Sequence, residues 1–389
     1  MEKGNVLLIG NSGVGKSTLI NSILGERLAD TGVGIEGVTK DVRVYEKEGI
    51  PFRLIDTAGL EPSYLKQRKT INEIKKWSAK SAKEGYKNNQ VNLIWFCVDG
   101  TSKKLFIETI KRLSKSVSIW KTVPIIIVIT KSYSQIEKEE NIKMVKEAFE
   151  RQKHFSKNLK GIIPVVADTY QINEEIFVAP EGIDELIDLT NSLMPEGIEA
   201  GKADISAFKL NQKKFLAHGL VGISTTSAVV IGAIPIPFPD ASLLAPIELA
   251  TVNTLAKIFE INKMEDSDIF INHILEMGVL SLIGKNAVSY LKGVPGINLG
   301  ASVINAIVAG SIVMTLGQIT IYAFEQVYLG KKTMRDIDWL KKLMESSFSS
   351  KFMDILKEIT KKVESNKDKD NIANIIIDVF KNHFNGSEN

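Results

Sequence analysis

Gly10, Gly15, Lys16 and Ser17 occur in the order G-x-x-x-x-G-K-[ST] inside the run GNSGVGKSTLI. That spacing describes a loop that wraps a chain of phosphates. Glycines permit the tight turn, so the backbone N–H groups of Asn11, Ser12, Gly13, Val14 and Gly15 converge on one anion at the N-terminus of the following helix. In this arrangement Lys16 reaches the β- and γ-phosphates, Ser17 ligates Mg²⁺ and Thr18 touches the α-phosphate. A glycine turn with a solvated lysine would share the pattern but not its surroundings. Val6, Leu7, Leu8 and Ile9 form a continuous apolar strand before the loop, and Ser17, Thr18, Leu19, Ile20 and Ile23 open an amphipathic helix after it.

A second constellation follows. Asp56, Thr57, Ala58 and Gly59 close an apolar strand at a distance that suits the neighbouring position in a sheet. Asp56 is then placed to hold the metal through water, and the Gly59 N–H to sense the γ-phosphate. Between the two signatures, Thr39 in GIEGVTKDV is the candidate switch threonine that closes onto Mg²⁺, against the plainer reading of a loop hydroxyl. Lys16, Thr39 and Gly59 are the candidate catalytic residues, and Ser17, Thr39 and Asp56 the candidate metal set.

Such residues need a rigid scaffold. LIWFC (93–97), VPIIIVIT (123–130) and GIIPVVA (161–167) are apolar throughout, as parallel strands covered on both faces must be. Between them KLFIETIKRLSKS, ENIKMVKEAFERQ and GIDELIDLTNSL repeat with helical periodicity. This predicts an α/β domain with a doubly wound, mostly parallel sheet, whose ligands bind at the carboxyl ends of the strands. VRVYEKEGIPFRLID adds a hairpin with its turn at Lys47–Gly49.

The ordered motifs GNSGVGKSTLINSILGE, the Thr39 loop, DTAG and TKSY (130–133) resemble those of the Era-like and septin-like branch of small P-loop GTPases. GVTKDVRVYE, NLIWFCVDG, VPIIIVITKS and IPIPFPDA (234–241) are similar to a subgroup joining that domain to a C-terminal helical domain. The resemblance implies GTP or GDP as ligand with Mg²⁺, base contacts from Thr130 and Lys131, and a backbone contact from Ala167 to the base oxygen. Two positions depart from the pattern. Tyr133 stands where the guanine-selecting motif ends in Asp, and Asp168 follows Ala167 where the family usually has Lys. Without the paired acceptor, guanine and adenine should be separated less sharply. Leu60 follows Gly59, where another branch carries a water-orienting Gln, and leucine cannot hydrogen-bond that water. Gly13 stands where some relatives use Asn to hold potassium. Intrinsic hydrolysis should therefore be slow and need an activating partner or self-association.

Other features are bland. With 49 basic and 46 acidic residues the net charge of +3 gives no bulk drive toward nucleic acid. Residues 66–83 are lysine-rich but carry an apolar stripe, GLVG (219–222) lacks basic flanks, and the four histidines show no metal-ligand spacing. Cys97, the single cysteine, lies in an apolar strand and reads as a small buried hydrophobe. A strand follows Met1–Gly4 at once, so a cytosolic location, or the cytosolic face of a membrane, is expected.

After Pro195 the character changes. Residues 215–239 and 293–324 hold no formal charge, yet are rich in Gly, Ala, Ser and Thr. Two readings stay open: buried helices of a soluble bundle, or association with a membrane through residues 215–324, flanked by Lys213, Lys214, Lys331 and Lys332. Asp336 to Phe384 reads as two amphipathic helices separated near SNKDKDN. The expected division is 1–195 (nucleotide-binding domain), 196–330 (apolar helical domain) and 331–389 (amphipathic tail). The expected activity is a GTP-hydrolysing switch coupled to the helical part, the alternatives being a septin-like module with little turnover or an ATP-using P-loop protein.

Overall fold

A computed structural model of the chain describes residues 3–29, 36–39, 42–47, 50, 52–57, 90–102, 106–116, 122–152, 156–194, 205–234, 241–276, 280–294, 299–348, 350–365 and 371–385. Gly59, Leu60, residues 66–83 and the stretch from Pro235 to Asp240 lie outside them.

Among the described residues, seven strands form one sheet. They are β1 (Gly4–Ile9), β2 (Glu36–Thr39), β3 (Val42–Tyr45), β4 (Phe52–Thr57), β5 (Val91–Asp99), β6 (Ile125–Thr130) and β7 (Leu159–Pro164), in the order β2-β3-β4-β1-β5-β6-β7. From β4 to β7 neighbours run parallel, while β2, β3 and β4 pair antiparallel. The mostly parallel sheet and the hairpin expected from the sequence are both present. Strand β2 was not foreseen, because EGVT is too short and too interrupted by Gly37 to show a period. The VVA of GIIPVVA leaves the ladder after Pro164, and Val165 bonds back to Ile129 instead (2.8 Å).

Strands β1 and β6 are buried at every position. Helices α1 (Lys16–Leu24), α2 (Phe106–Ser116) and α3 (Gln135–Glu150) lie between strands of the sheet, and α4 (Ile183–Ser192) follows the last of them. Leu7, Ile94, Phe96, Ile127 and Phe149 share one core cluster. On another line of packing the indole of Trp95 in β5 donates to the Thr190 hydroxyl of α4 at 2.9 Å, so the buried N–H is satisfied.

By contact the chain divides into two compact units. The first comprises Met1–Asp168 and Pro180–Phe215, the second Thr169–Ala179 and Leu216–Asn389. Helix α5 (Ile205–Gly232) begins in the first unit, where Lys209 pairs with Asp188 and Lys213 with Asp184. Lys213 is thereby committed to a carboxylate inside the protein, not displayed for lipid headgroups as its flanking position suggested.

The second unit is helical apart from a small hairpin, β8 (Tyr170–Gln171) and β9 (Phe177–Val178), that precedes α4 in sequence. Its helices are the rest of α5, then α6 (Ala241–Ile258), α7 (Ser267–Glu276), α8 (Leu280–Lys292), α9 (Ala301–Tyr328), α10 (Ile337–Ser347), α11 (Ser350–Ser365) and α12 (Ile372–Asn385). Helix α9 is the core: 89% of its most apolar window is buried, against 50% for α5, and it packs on α6, α8, α10, α11 and α12. Glycines allow the close approach. A Cβ on Gly317 would meet Val221 at 2.5 Å, and one on Gly232 would meet the Ala306 backbone at 2.9 Å.

Among the described residues the tail holds three helices, not two. The break after Ser347 comes from the serines of MESSFSS: Ser346 and Ser347 donate their hydroxyls to Leu343 O at 2.9 and 2.8 Å, competing for main-chain acceptors. Phe348 then packs edge-on against Phe352, with centroids 5.3 Å apart. The second break coincides with the charged SNKDKDN segment. Lys332 lies over the Trp339 ring, 5.3 Å from its centroid.

Candidate functional site

The loop from Gly10 to Gly15 leaves β1 and enters α1. Gly13 and Gly15 hold φ of +77° and +96°, a region closed to most side chains. Gly10 is required for a different reason: a Cβ there would stand 2.7 Å from Cys97 O. Lys16 is folded over the loop, its ammonium donating to Gly10 O (3.0 Å) and Asn11 O (3.2 Å), and is almost wholly buried. Ser17 and Thr18 are exposed on the first turn of α1.

Thr130, the last residue of β6, and Lys131 directly after it brace the loop. Thr130 donates its hydroxyl to Val14 O (2.5 Å) and Val98 O (3.0 Å). Lys131, with φ of +54°, donates to Gly13 O and to Asp99 Oδ2, both at 2.7 Å. Burial works to raise the Asp99 pKa, but hydrogen bonds from Lys131 and Thr101 outweigh it and hold the carboxyl below its ordinary range. Thr130 and Lys131 therefore rigidify the phosphate loop, and the Lys131 ammonium is already engaged there. The sequence reading missed Asp99, whose partner Lys131 lies 32 residues away in sequence, just past the end of β6.

Asp56 lies one residue before the end of β4, in register with Leu8 of β1 and Arg43 of β3. Burial pushes its carboxyl up to about 6, opposed by the positive charges of Lys16 and Arg43. Its Oδ1 is buried and has no hydrogen-bond partner among the described residues. A desolvated, unsatisfied carboxylate oxygen at the carboxyl end of a central strand fits a divalent cation or its water shell. The backbone of Thr39 ends β2, pairing with Val42. Gly59 lies outside the described residues. Among the described residues no group of three or more His, Cys, Asp or Glu side chains forms a metal cage, so a metal here would take hydroxyl, water and phosphate oxygens as well. Cys97 is buried, and burial pushes its thiol up to about 12, leaving it inert.

Beyond the phosphate loop lies a cavity of ≈ 210 Å³ lined by Thr18, Asn21, Ser22, Arg27, Ala167, Asp168 and Phe215, all in the first unit. Thr18 and Ala167 were expected at a nucleotide; Asn21, Ser22, Arg27 and Phe215 were assigned no role there. The Ala167–Asp168 turn is fixed by its neighbours. Val165 O accepts from Ser132 N (3.2 Å), and Val166 exchanges two backbone bonds with Glu181 (3.1 and 3.0 Å). Tyr133 is half-buried and is not among the lining residues.

Residues 5–131 match the family described as 50S ribosome-binding GTPase. The tRNA modification GTPase MnmE of Clostridioides difficile (strain 630) is 27% identical over 61% of this chain and 44% of its own length. GTPase Era of the same organism is 29% identical over 43% of this chain and 50% of its own length. The chain thus spans about half the length of these curated relatives. Among solved structures, a probable GTP-binding protein engB is 20% identical and covers 49% of this chain and 98% of its own, with a TM-score of 0.33. The LeoA bacterial dynamin GTPase from ETEC is 13% identical and covers 97% and 90%, also at 0.33. Residues 5–131 match the G domain of P-loop GTPases and are joined in this chain to a helical C-terminal region.

Proposed function

We propose that the chain binds GTP and GDP with Mg²⁺, hydrolyses GTP slowly, and uses nucleotide state to set the behaviour of its helical unit. The observation that carries the coupling is where the chain passes from one unit to the other. Two of the residues at which the first unit ends, Asp168 and Phe215, both line the cavity next to the phosphate loop. Occupancy of that cavity acts on residues directly continuous with the hairpin at Thr169 and with the remainder of α5.

The loop N–H groups from Asn11 to Gly15, with Gly59, would hold the phosphates. Lys16 would exchange its two carbonyl partners for phosphate oxygens, placing its positive charge against an anion instead of two neutral acceptors. Ser17, Thr39 and Asp56 would hold Mg²⁺, which supplies charge neutralisation of the β- and γ-phosphates. Leu60 offers no hydrogen bond to an attacking water, which supports slow turnover unless an activating partner or a second copy supplies the missing group.

The helical unit is read as a bundle built on α9, acting in the cytosol or at the cytosolic face of a membrane. Val230 and Ile234 at the end of α5, with Leu243 and Leu249 of α6, are exposed apolar residues. They flank the uncharged IPIPFP run, and this end of the bundle is the proposed lipid-facing part. The test is turnover and equilibrium binding with GTP, GDP, ATP and ADP on the full chain. GTP turnover that rises with protein concentration or an added partner, with guanine preferred, supports the switch. Nucleotide binding without turnover under any of these conditions favours the septin-like module, and ATP bound as tightly as GTP rejects the guanine assignment.

A further inference from the structure

The chain lacks a carboxylate at the end of TKSY, and Tyr133 does not line the cavity beyond the phosphate loop. A guanine ring presents adjacent N1–H and N2–H donors, which only an acceptor pair such as a carboxylate can satisfy together. Of the seven lining residues, Asp168 is the single carboxylate. Asn21, whose Oδ1 accepts from Ala29 N at 2.7 Å, carries one amide oxygen and so offers no acceptor pair. We infer that Asp168 supplies the base-reading acceptor of this chain, in place of the carboxylate missing at Tyr133. The inference rests on the guanine-nucleotide reading above and names the residue that gives it selectivity.

Three further observations support the assignment. Asp168 is exposed at the cavity and follows Val165 and Val166, whose backbones are held by Ser132, Ile129 and Glu181, so its carboxylate leaves an anchored stretch of chain. Beside it, the N–H of Ala167 has no acceptor among the described residues. A donor adjacent to an acceptor pair complements the O6, N1 and N2 atoms of guanine with three contacts, whereas adenine, with only N6–H and N1, can use two. Finally, Ser22 Oγ lines the same cavity, is 1% exposed and has no partner among the described residues, a buried hydroxyl left for a ligand.

The chemistry supplies a switch of specificity as the test. Xanthine carries an oxygen at C2 where guanine has an amino group, so an amide at position 168 can accept from N1–H and donate to that oxygen. Fluorescent GDP bound to the full chain is displaced by GDP, XDP and ADP, for the parent, Asp168→Asn and Asp168→Ala. Thermal melts confirm that each variant is folded. Asp168→Asn is expected to weaken GDP and strengthen XDP, moving their ratio by about 10- to 100-fold. Asp168→Ala should lose GDP affinity without gaining XDP. If the parent prefers GDP over ADP and Asp168→Asn keeps the parental GDP to XDP ratio, Asp168 is not the reader and the guanine reading survives alone. A parent that binds GDP no better than ADP overturns both.

Discussion

At the scale of single residues, the phosphate loop is a case in which charge and backbone geometry separate cleanly. Lys16 is almost wholly buried and contributes two hydrogen bonds to loop carbonyls, so Lys16→Ala should cost the nucleotide-free fold about 1–2 kcal/mol. The same change removes the lysine proposed to reach the phosphates. Turnover should become undetectable and nucleotide binding should weaken about 100-fold or more, measured by titration beside a denaturant curve that stays near the parent's. A folded variant that hydrolyses GTP at the parental rate would remove the basis of the site. Legibility follows the same division. The Gly10–Thr18 loop could be read because its function lies in contiguous residues with a fixed spacing. Asp99, Arg27 and Phe215 could not, because what makes them matter is a partner or a cavity assembled from distant strands and helices.

At the scale of elements, burial decides which sequence signals were readable. Strands β1, β5 and β6 announced themselves as unbroken apolar runs because both of their faces are covered, while β2, β8 and β9 are too short for any period. The helical unit shows the complementary case, since glycine lowers helix propensity yet marks where helices touch. At Gly232 an added methyl would meet Ala309 Cβ at 2.7 Å and Asn305 O at 2.9 Å. Gly232→Ala should therefore destabilise the unit by about 1–3 kcal/mol, against the few tenths to 1 kcal/mol gained where space is free. The denaturation midpoint of the helical circular dichroism signal reads this directly. Glu248 on α6 gives a pH-dependent counterpart. Burial raises its carboxyl to about 7, so its neutral form is preferred in the folded state. Its favourable contribution is complete below the unfolded value of 4.5 and is lost as pH rises through 7. Glu248→Gln should match the parent near pH 4 and exceed it by about 2 kcal/mol at pH 8, and thermal melts across that range that stay parallel would exclude the effect.

At the scale of the whole molecule, the two uncharged stretches have different fates. The one that forms α9 is enclosed by five other helices of its own unit, so its apolar character is explained by the bundle core without lipid. Bringing α9 to a membrane would require the bundle to open and its Gly- and Ala-lined contacts to be replaced one by one. The stretch that forms the second half of α5 is only half-covered, and its end carries Val230 and Ile234 in the open. Lipid association should therefore be peripheral and confined to that end of the unit. The full chain should co-sediment with liposomes. Val230→Asp together with Leu249→Asp should abolish this, since a charge placed in the apolar layer costs about 2.5–3.5 kcal/mol on insertion scales. A nitroxide placed on the buried face of α9 should remain inaccessible to lipid-phase quenchers in the same samples. Exchange of GDP for a non-hydrolysable GTP analogue should change the co-sedimented fraction if cavity occupancy is transmitted through the chain at Asp168 and Phe215. A fraction bound that is identical in the two nucleotide states would detach the helical unit from the switch. No co-sedimentation in either state would place its exposed apolar end against a protein partner instead of lipid.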